Sequence, residues 1–125
     1  MTLAYHPLNL ALRLLLEIAA LAAVGFYGWK LADGSLRFLT AIGLPLVLAV
    51  LWGTFAVPDD PSRSGSAPVP VPGFLRLALE VAIFGFATWA LYWTRAVSWS
   101  LVLGGLVVLH YVLSYDRIAW LLGSR

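Results

Sequence analysis

The chain has 125 residues, of which 62% are apolar and 11% are charged, and its formal net charge is +2. Soluble domains are about half apolar and about a quarter charged, so this composition excludes an ordinary soluble domain. The Lys and Arg residues are spread along the chain, which argues against nucleic-acid binding, and the lack of Cys excludes thiolate catalysis and Cys-ligated metals. We therefore predict a single all-α transmembrane domain over residues 1–125 whose main partner is the lipid bilayer.

Four apolar segments are long enough to cross a membrane, since a spanning helix needs about 20 residues. The predicted helices cover residues 7–30, 35–57, 73–95 and 98–122. Short turns join the first helix to the second and the third to the fourth. The central loop over residues 58–72 holds five prolines, so we predict it to be extended and solvated rather than packed.

Tryptophan residues cluster near the predicted helix ends. This position is typical of the aromatic belts found at the two membrane surfaces. The same side chains would also fill space in any helical bundle, so the pattern fits both interpretations. The predicted interface anchors are Trp29, Trp52, Trp93, Trp99 and Trp120.

Basic residues give a prediction for orientation, because both termini and the central loop share one side in a four-span protein. That side carries Arg63, Arg117 and Arg125, with Arg13 and Arg76 if their side chains extend to the surface. The opposite side carries Lys30, Arg37 and Arg95. The excess favours cytoplasmic termini, and without Arg13 and Arg76 the two sides carry equal numbers.

An internal repeat is visible at a constant spacing. Leu-Arg-Leu-Leu-Leu-Glu at residues 12–17 matches Leu-Arg-Leu-Ala-Leu-Glu at residues 75–80, with an offset of 76 − 13 = 63. Each unit contains two spans, so the spacing predicts two parallel helical hairpins related by an axis along the membrane normal. Chance similarity is the alternative, because Leu is abundant, but charged residues inside predicted spans are rare.

The repeated charges carry the main site hypothesis. Each Arg and Glu are four residues apart and therefore share one helix face. An unpaired charge in the bilayer centre costs about 2.5–3.5 kcal/mol, so these groups need partners. We predict that Arg13 pairs with Glu80 and that Arg76 pairs with Glu17, in addition to pairing within each helix.

The fourth predicted helix adds further polar side chains. His110, Ser114 and Arg117 share one face, with Tyr111 beside it. Asp116 lies about six residues before the predicted end of the helix. The predicted intramembrane polar network comprises Arg13, Glu17, Arg76, Glu80, His110, Tyr111, Ser114 and Asp116. Such a network either fixes the helix register or lines a path for a proton or solute.

Three functional hypotheses remain open from the residues alone. The first is a permeation or transport unit, for which a homo-oligomer would provide more room than one bundle. The second is a non-catalytic structural or partner-binding subunit, and the third is a lipid- or quinone-binding protein or an enzyme. The sequence contains no HExxH, Walker A or GxSxG pattern, which favours a non-enzymatic protein without catalytic residues, metal or cofactor.

Three segments resemble one known family. They are 10–17 with its Arg-x-x-x-Glu pair, Trp52-Gly53-Thr54-Phe55 with the following Pro58, Pro61 and Arg63, and 75–80 with Phe84. Together they resemble the YrdB-like family of small bacterial membrane proteins of unknown function. The resemblance implies a four-helix protein of the bacterial inner membrane and supplies no activity, ligand or cofactor.

Overall fold

The computed structural model describes residues 6–58, 60 and 67–123, and it is almost entirely helical. The predicted all-α class is therefore confirmed. The helices are α1 (Pro7–Leu31), α2 (Leu36–Thr54), α3 (Gly73–Trp93), α4 (Val97–Leu113) and α5 (Tyr115–Gly123). Two strands of two residues each, β1 (Phe55–Ala56) and β2 (Val69–Pro70), lie between α2 and α3.

The first helix begins where local chemistry favours a helix start. Pro7 occupies the first helical position, and the ring Nδ1 of His6 accepts a hydrogen bond from the backbone N–H of Leu8 at 3.1 Å. Lys30 lies in the last turn, where its positive charge interacts favourably with the helix dipole. The helix ends at Leu31, one residue beyond the predicted end.

The fourth predicted helix, residues 98–122, is not continuous. The structure divides it at Ser114 into α4 and α5, whose axes are bent by 68°. Neither Pro nor Gly lies near the break. Tertiary contacts instead override the helical pattern, because the buried Ser114 hydroxyl accepts a hydrogen bond from Asn9 at 2.9 Å and the bend brings Arg117 to buried carboxylates.

The central loop also departs from its prediction. Phe55 pairs with Val69 and Ala56 with Pro70 in a short parallel ladder. Asp60 is buried and forms an ion pair with Arg117 at 2.7 Å, so this part of the loop is packed rather than solvated. Residues 59 and 61–66, including Arg63, lie outside the described residues.

The core lies where α1 and α3 meet, with α4 against one side. It is formed by Leu16, Ala20, Ala23, Val24, Phe84, Ala87 and Leu103. The alanines allow the helices to approach closely. In contrast, none of the residues of Leu36–Thr54 is buried, because α2 packs mainly against α1.

Small residues mark the crossing points within each hairpin. A Cβ added at Gly28 would overlap the backbone carbonyl of Thr40, so α1 and α2 could not approach this closely with a larger residue there. A Cβ at Gly25 would lie 3.2 Å from the carbonyl oxygen of Ala41, and a Cβ at Gly104 would lie 3.2 Å from Cγ2 of Thr88. The last two contacts occupy equivalent positions in the two hairpins, since 88 − 25 = 63 and 104 − 41 = 63.

Three helices, α1, α2 and α3, are individually long and apolar enough to cross a membrane. The bent pair α4 and α5 passes the same test when taken together. The described residues therefore provide three spans, or four if the bent pair acts as one broken span.

Candidate functional site

Glu80 lies at the centre of a buried ionic cluster. Its side chain has 0% exposure and accepts hydrogen bonds from four side chains. Oε2 accepts from Arg13 at 3.0 Å, from Arg76 at 2.8 Å and from Arg117 at 2.8 Å. Oε1 accepts from Arg117 at 2.9 Å and from the Tyr111 hydroxyl at 2.8 Å. The carboxylate thus joins α1, α3, α4 and α5.

Arg117 links this carboxylate to the central loop. Its guanidinium donates to Asp60 at 2.7 Å and 3.4 Å while also holding both oxygens of Glu80. Bidentate contacts of this kind suit the planar guanidinium, which presents its donors in a fixed fork. We call the set Arg13, Asp60, Arg76, Glu80, Tyr111 and Arg117 the Glu80 cluster. With Glu17, its three arginines face three carboxylates, so the charges balance.

The structure brings together one of the two predicted cross-helix pairs. Arg13 contacts both Glu17 and Glu80, each at 3.0 Å. Arg76 does not pair with Glu17; its Nη1 donates to the backbone carbonyls of Trp52 and Phe55, the latter at 2.8 Å. These carbonyls lie where α2 ends, and helix ends leave carbonyl groups without helical partners. Arg76 therefore caps the C-terminal end of α2. Because its guanidinium is held by these carbonyls and by Glu80, it does not form the predicted pair with Glu17.

Glu17 has a different environment from Glu80. Its side chain is 27% exposed, and Oε1 accepts a hydrogen bond from Arg13 Nε at 3.0 Å. It lines a cavity of about 150 Å³ between α1, α2 and α3. The other residues around this cavity are Ala20, Leu21, Leu48, Ala49, Trp52 and Ile83. Glu17 therefore lines a cavity, whereas the Glu80 carboxylate is surrounded by hydrogen-bond donors.

A second, neutral polar cluster lies beside the first. Asn9 donates to the Ser114 hydroxyl at 2.9 Å, and its Oδ1 lies 3.0 Å from Nδ1 of His110. All three side chains are buried. The rings of His110 and Tyr111 are 5.2 Å apart, so this cluster adjoins the Glu80 cluster through α4. It ties the start of α1 to the end of α4.

Asp116 and the tryptophans take varied positions. Asp116 Oδ1 accepts the backbone N–H of Arg117 at 3.1 Å in the first turn of α5, which is a local contact. Trp52, one of the predicted anchors, lies beneath the guanidinium groups of Arg13 and Arg76, at 5.8 Å and 5.0 Å from its ring centre. Trp93 and Trp99 are exposed near the α3–α4 turn, whereas Trp29 and Trp120 are partly buried.

Two residues of these clusters, Asn9 and Asp60, are not predicted as site residues from the sequence. Asn9 stands four residues before Arg13 and eight before Glu17, so a polar stripe along α1 was available as a signal. Asp60 offers no comparable signal, because it lies in a loop whose composition predicts solvation. Arg117 is predicted on the same helix face as His110 and Ser114, but the predicted network does not include it.

These features define a class: a nearly all-helical protein whose helices are long and apolar enough to cross a membrane, built around a buried ionic cluster. The chain belongs to the family described as "Protein of unknown function (DUF2568)", which it matches over residues 11–108. It is 44% identical to the "Uncharacterized protein YrdB" of Bacillus subtilis (strain 168) over 116 residues, covering 93% of this chain and 94% of that one. The predicted YrdB-like resemblance is therefore confirmed. No solved structure matches the chain significantly.

Proposed function

We propose that the protein is an integral protein of the bacterial inner membrane with four crossings, the fourth being the broken span formed by α4 and α5. The apolar length of α1, α2 and α3 supports this proposal. In this arrangement the termini and the central loop face the cytoplasm, together with Arg117. Arg63 and Arg125, which also enter the orientation argument, lie outside the described residues. Cysteine labelling tests the orientation: Ser35→Cys and Ser98→Cys should react only with a reagent that reaches the periplasm.

The two hairpins, we propose, are copies of one ancestral unit. Supporting this, the crossing contacts Gly25–Ala41 and Thr88–Gly104 fall at the same offset as the two Arg-x-x-x-Glu segments. A duplicated unit of two spans gives parallel repeats. These matching contacts do not depend on the abundance of Leu. They therefore support a duplication independently of the repeated Arg-x-x-x-Glu segments.

The function that the geometry supports best is that of a non-catalytic membrane subunit that acts by binding. One observation carries this proposal: Glu80 is fully buried and its acceptors are occupied by four protein side chains. A carboxylate in this state fixes helix positions and is closed to a passing solute. The enzymatic and quinone-binding hypothesis has less support, because the buried His110 bonds to Asn9.

Permeation remains the second candidate because of Glu17. Its partly exposed carboxylate and the adjoining cavity are the features that a proton path would need. Liposomes that contain a pH-sensitive dye and the purified protein separate the two candidates. We expect no proton flux above that of empty liposomes; flux that Glu17→Gln abolishes would establish permeation instead.

A homo-oligomer is part of the same proposal. The contact to test first is α2, which exposes Leu39, Ile42 and Leu46 and buries none of its residues, whereas α1, α3 and α4 each bury several. The chain lacks Cys, so a single Ile42→Cys substitution gives a clean cross-linking probe. We expect a disulfide dimer in membranes for Ile42→Cys and none for Leu75→Cys, an exposed position on α3 that serves as the matched control. Absence of the first dimer would remove α2 as the contact.

A further inference from the structure

A long apolar cleft runs between α1 and α4 on the side of the bundle away from α2. Its volume is about 620 Å³, within the range of about 300–1,000 Å³ typical of ligand sites. Its walls are almost wholly apolar and include Leu12, Leu16, Ala19, Phe26, Trp99 and Leu106. From Leu12 to Phe26 it extends about 21 Å along α1, since each residue rises about 1.5 Å.

These dimensions match a lipid chain in the orientation proposed above. Half of the hydrocarbon core measures about 15 Å. The cleft is centred on Ala19, the midpoint of α1, so it extends from the outer leaflet across the bilayer midplane. It runs towards the α3–α4 turn, since Leu91, Ala96 and Trp99 line that end. Trp99 is 70% exposed at this rim, where amphipathic indoles lie beside lipid headgroups.

Basic groups stand at the same end of the cleft. The amine of Lys30 lies 5.4 Å from the ring centre of Phe26, a residue of the cleft wall. Arg95 is exposed and directly precedes Ala96, another wall residue, in a left-handed backbone conformation with φ of 69°. Left-handed positions favour Gly or Asn over Arg, so the cation occupies this turn at a conformational cost.

The charges of this end complement an anion. Among the described residues of the two turns, Lys30, Arg37 and Arg95 are basic and Asp33 is acidic. Arg37 is stacked on Trp29, with its guanidinium 4.2 Å from the ring centre, and does not line the cleft. Lys30 and Arg95 therefore adjoin residues of the cleft wall, through Phe26 and Ala96, and Arg37 provides an internal control.

We propose that the α1–α4 cleft binds one anionic phospholipid of the outer leaflet, with an acyl chain along α1 and the headgroup phosphate between Lys30 and Arg95. This inference rests on the proposed membrane location. A cation attracts a headgroup phosphate electrostatically on either side of a membrane, and a second cation strengthens the attraction. The lipid would cover wall residues that α4 leaves open and would join α1 to the α3–α4 turn.

Native mass spectrometry of the detergent-purified full chain tests this site. The protein is incubated with phosphatidylglycerol or phosphatidylcholine that carry the same acyl chains. We expect one retained phosphatidylglycerol, with a preference over phosphatidylcholine of about tenfold or more from the two cations. The double variant Lys30→Gln/Arg95→Gln should lose this preference, whereas Arg37→Gln should keep it.

A second variant separates the cleft from the headgroup site. Ala19→Phe fills the middle of the cleft without changing charge, and we expect it to lose both lipids while its melting temperature stays close to that of the wild type. Equal retention of the two lipids by the wild type, or an unchanged preference in the double variant, would overturn the proposal. So would a disulfide dimer through Ala19→Cys, because a second copy would then occupy the cleft. Failure of the membrane location is detected separately, by release of the wild-type chain from membranes in alkaline carbonate.

Discussion

In the first half of the chain Glu17 is 27% exposed and is held by Arg13, whereas the equivalent Glu80 in the second half is fully buried and held by four donors. The two Arg-x-x-x-Glu segments differ little in sequence, so the difference comes from the partner helices. Tyr111 and Arg117, which bind Glu80, correspond at the 63-residue offset to Leu48 and Thr54. Leu48 lines the cavity beside Glu17 instead of donating a hydrogen bond. The same local segment thus becomes a closed ionic centre in one half of the chain and an open carboxylate in the other.

The largest expected effect comes from replacing Glu80 by glutamine, with the same replacement at Glu17 for comparison. Removing one partner from a buried ionic cluster costs about 3–5 kcal/mol, so Glu80→Gln should lower the free energy of unfolding by this amount. Glu17→Gln should cost about 1 kcal/mol or less, because its pair is partly exposed. Unfolding of both variants in mild detergent, followed by circular dichroism, measures the difference.

Equal losses from the two variants would show that the environments are not distinct. If Glu80→Gln does not fold, Glu80→Asp keeps the charge and permits the same comparison with Glu17→Asp. The aspartate pair should retain the order, with the larger loss at position 80.

The next test concerns the ion pair between Arg117 and Asp60 of the central loop. Asp60→Asn removes the charge that Arg117 binds, and hydrogen bonds to charged groups contribute about 1.5–3 kcal/mol. We expect a loss of about 2 kcal/mol and faster amide exchange at Val57 and Val71, which flank the β1–β2 ladder. Asp33→Asn, in an exposed turn, is the matched control and should leave both measurements unchanged. Unaltered exchange in Asp60→Asn would mean that the ion pair does not hold the loop.

A smaller effect is expected from Tyr111→Phe. This change removes one neutral donor from Glu80 and keeps the ring that packs edge-on against Phe84, with centres 6.1 Å apart. The expected loss is about 1 kcal/mol, the usual size for one hydrogen bond. Tyr115→Phe, at an exposed position, should change stability by less than a few tenths of a kcal/mol. A loss in Tyr111→Phe no greater than in Tyr115→Phe would contradict the four-donor description of Glu80.

The smallest expected effect comes from making the first half resemble the second. Leu48→Tyr introduces a hydroxyl beside the cavity of about 150 Å³ that Glu17 lines. We expect it to be more stable than Leu48→Phe by about 0.5–1 kcal/mol, because only the tyrosine can donate to Glu17. Equal stabilities of the two aromatic variants would show that the missing donor is not what distinguishes Glu17 from Glu80.

The sequence predicts the helical class, the positions of the first three helices to within a few residues, and the contact between Arg13 and Glu80. Long apolar runs indicate the helices, and the rare charged residues within those runs indicate the contact. It does not predict the break at Ser114, because no Pro or Gly marks it and the cause is a contact with Asn9 more than a hundred residues away. It also misses Asp60, because a Pro-rich loop normally stays in water and only the folded structure brings its carboxylate to Arg117.

The bend at Ser114 has a consequence for the order of events during synthesis. Once α1 and α3 are made, Arg13 and Arg76 have Glu17 and Glu80 as partners, but Arg117, the ion-pair partner of Asp60, is not yet present. Arg117 follows 37 residues later in the chain and supplies both the second pair of hydrogen bonds to Glu80 and the partner of Asp60. The central loop and the helices can therefore be joined through Asp60 and Glu80 only after α5 has been synthesised.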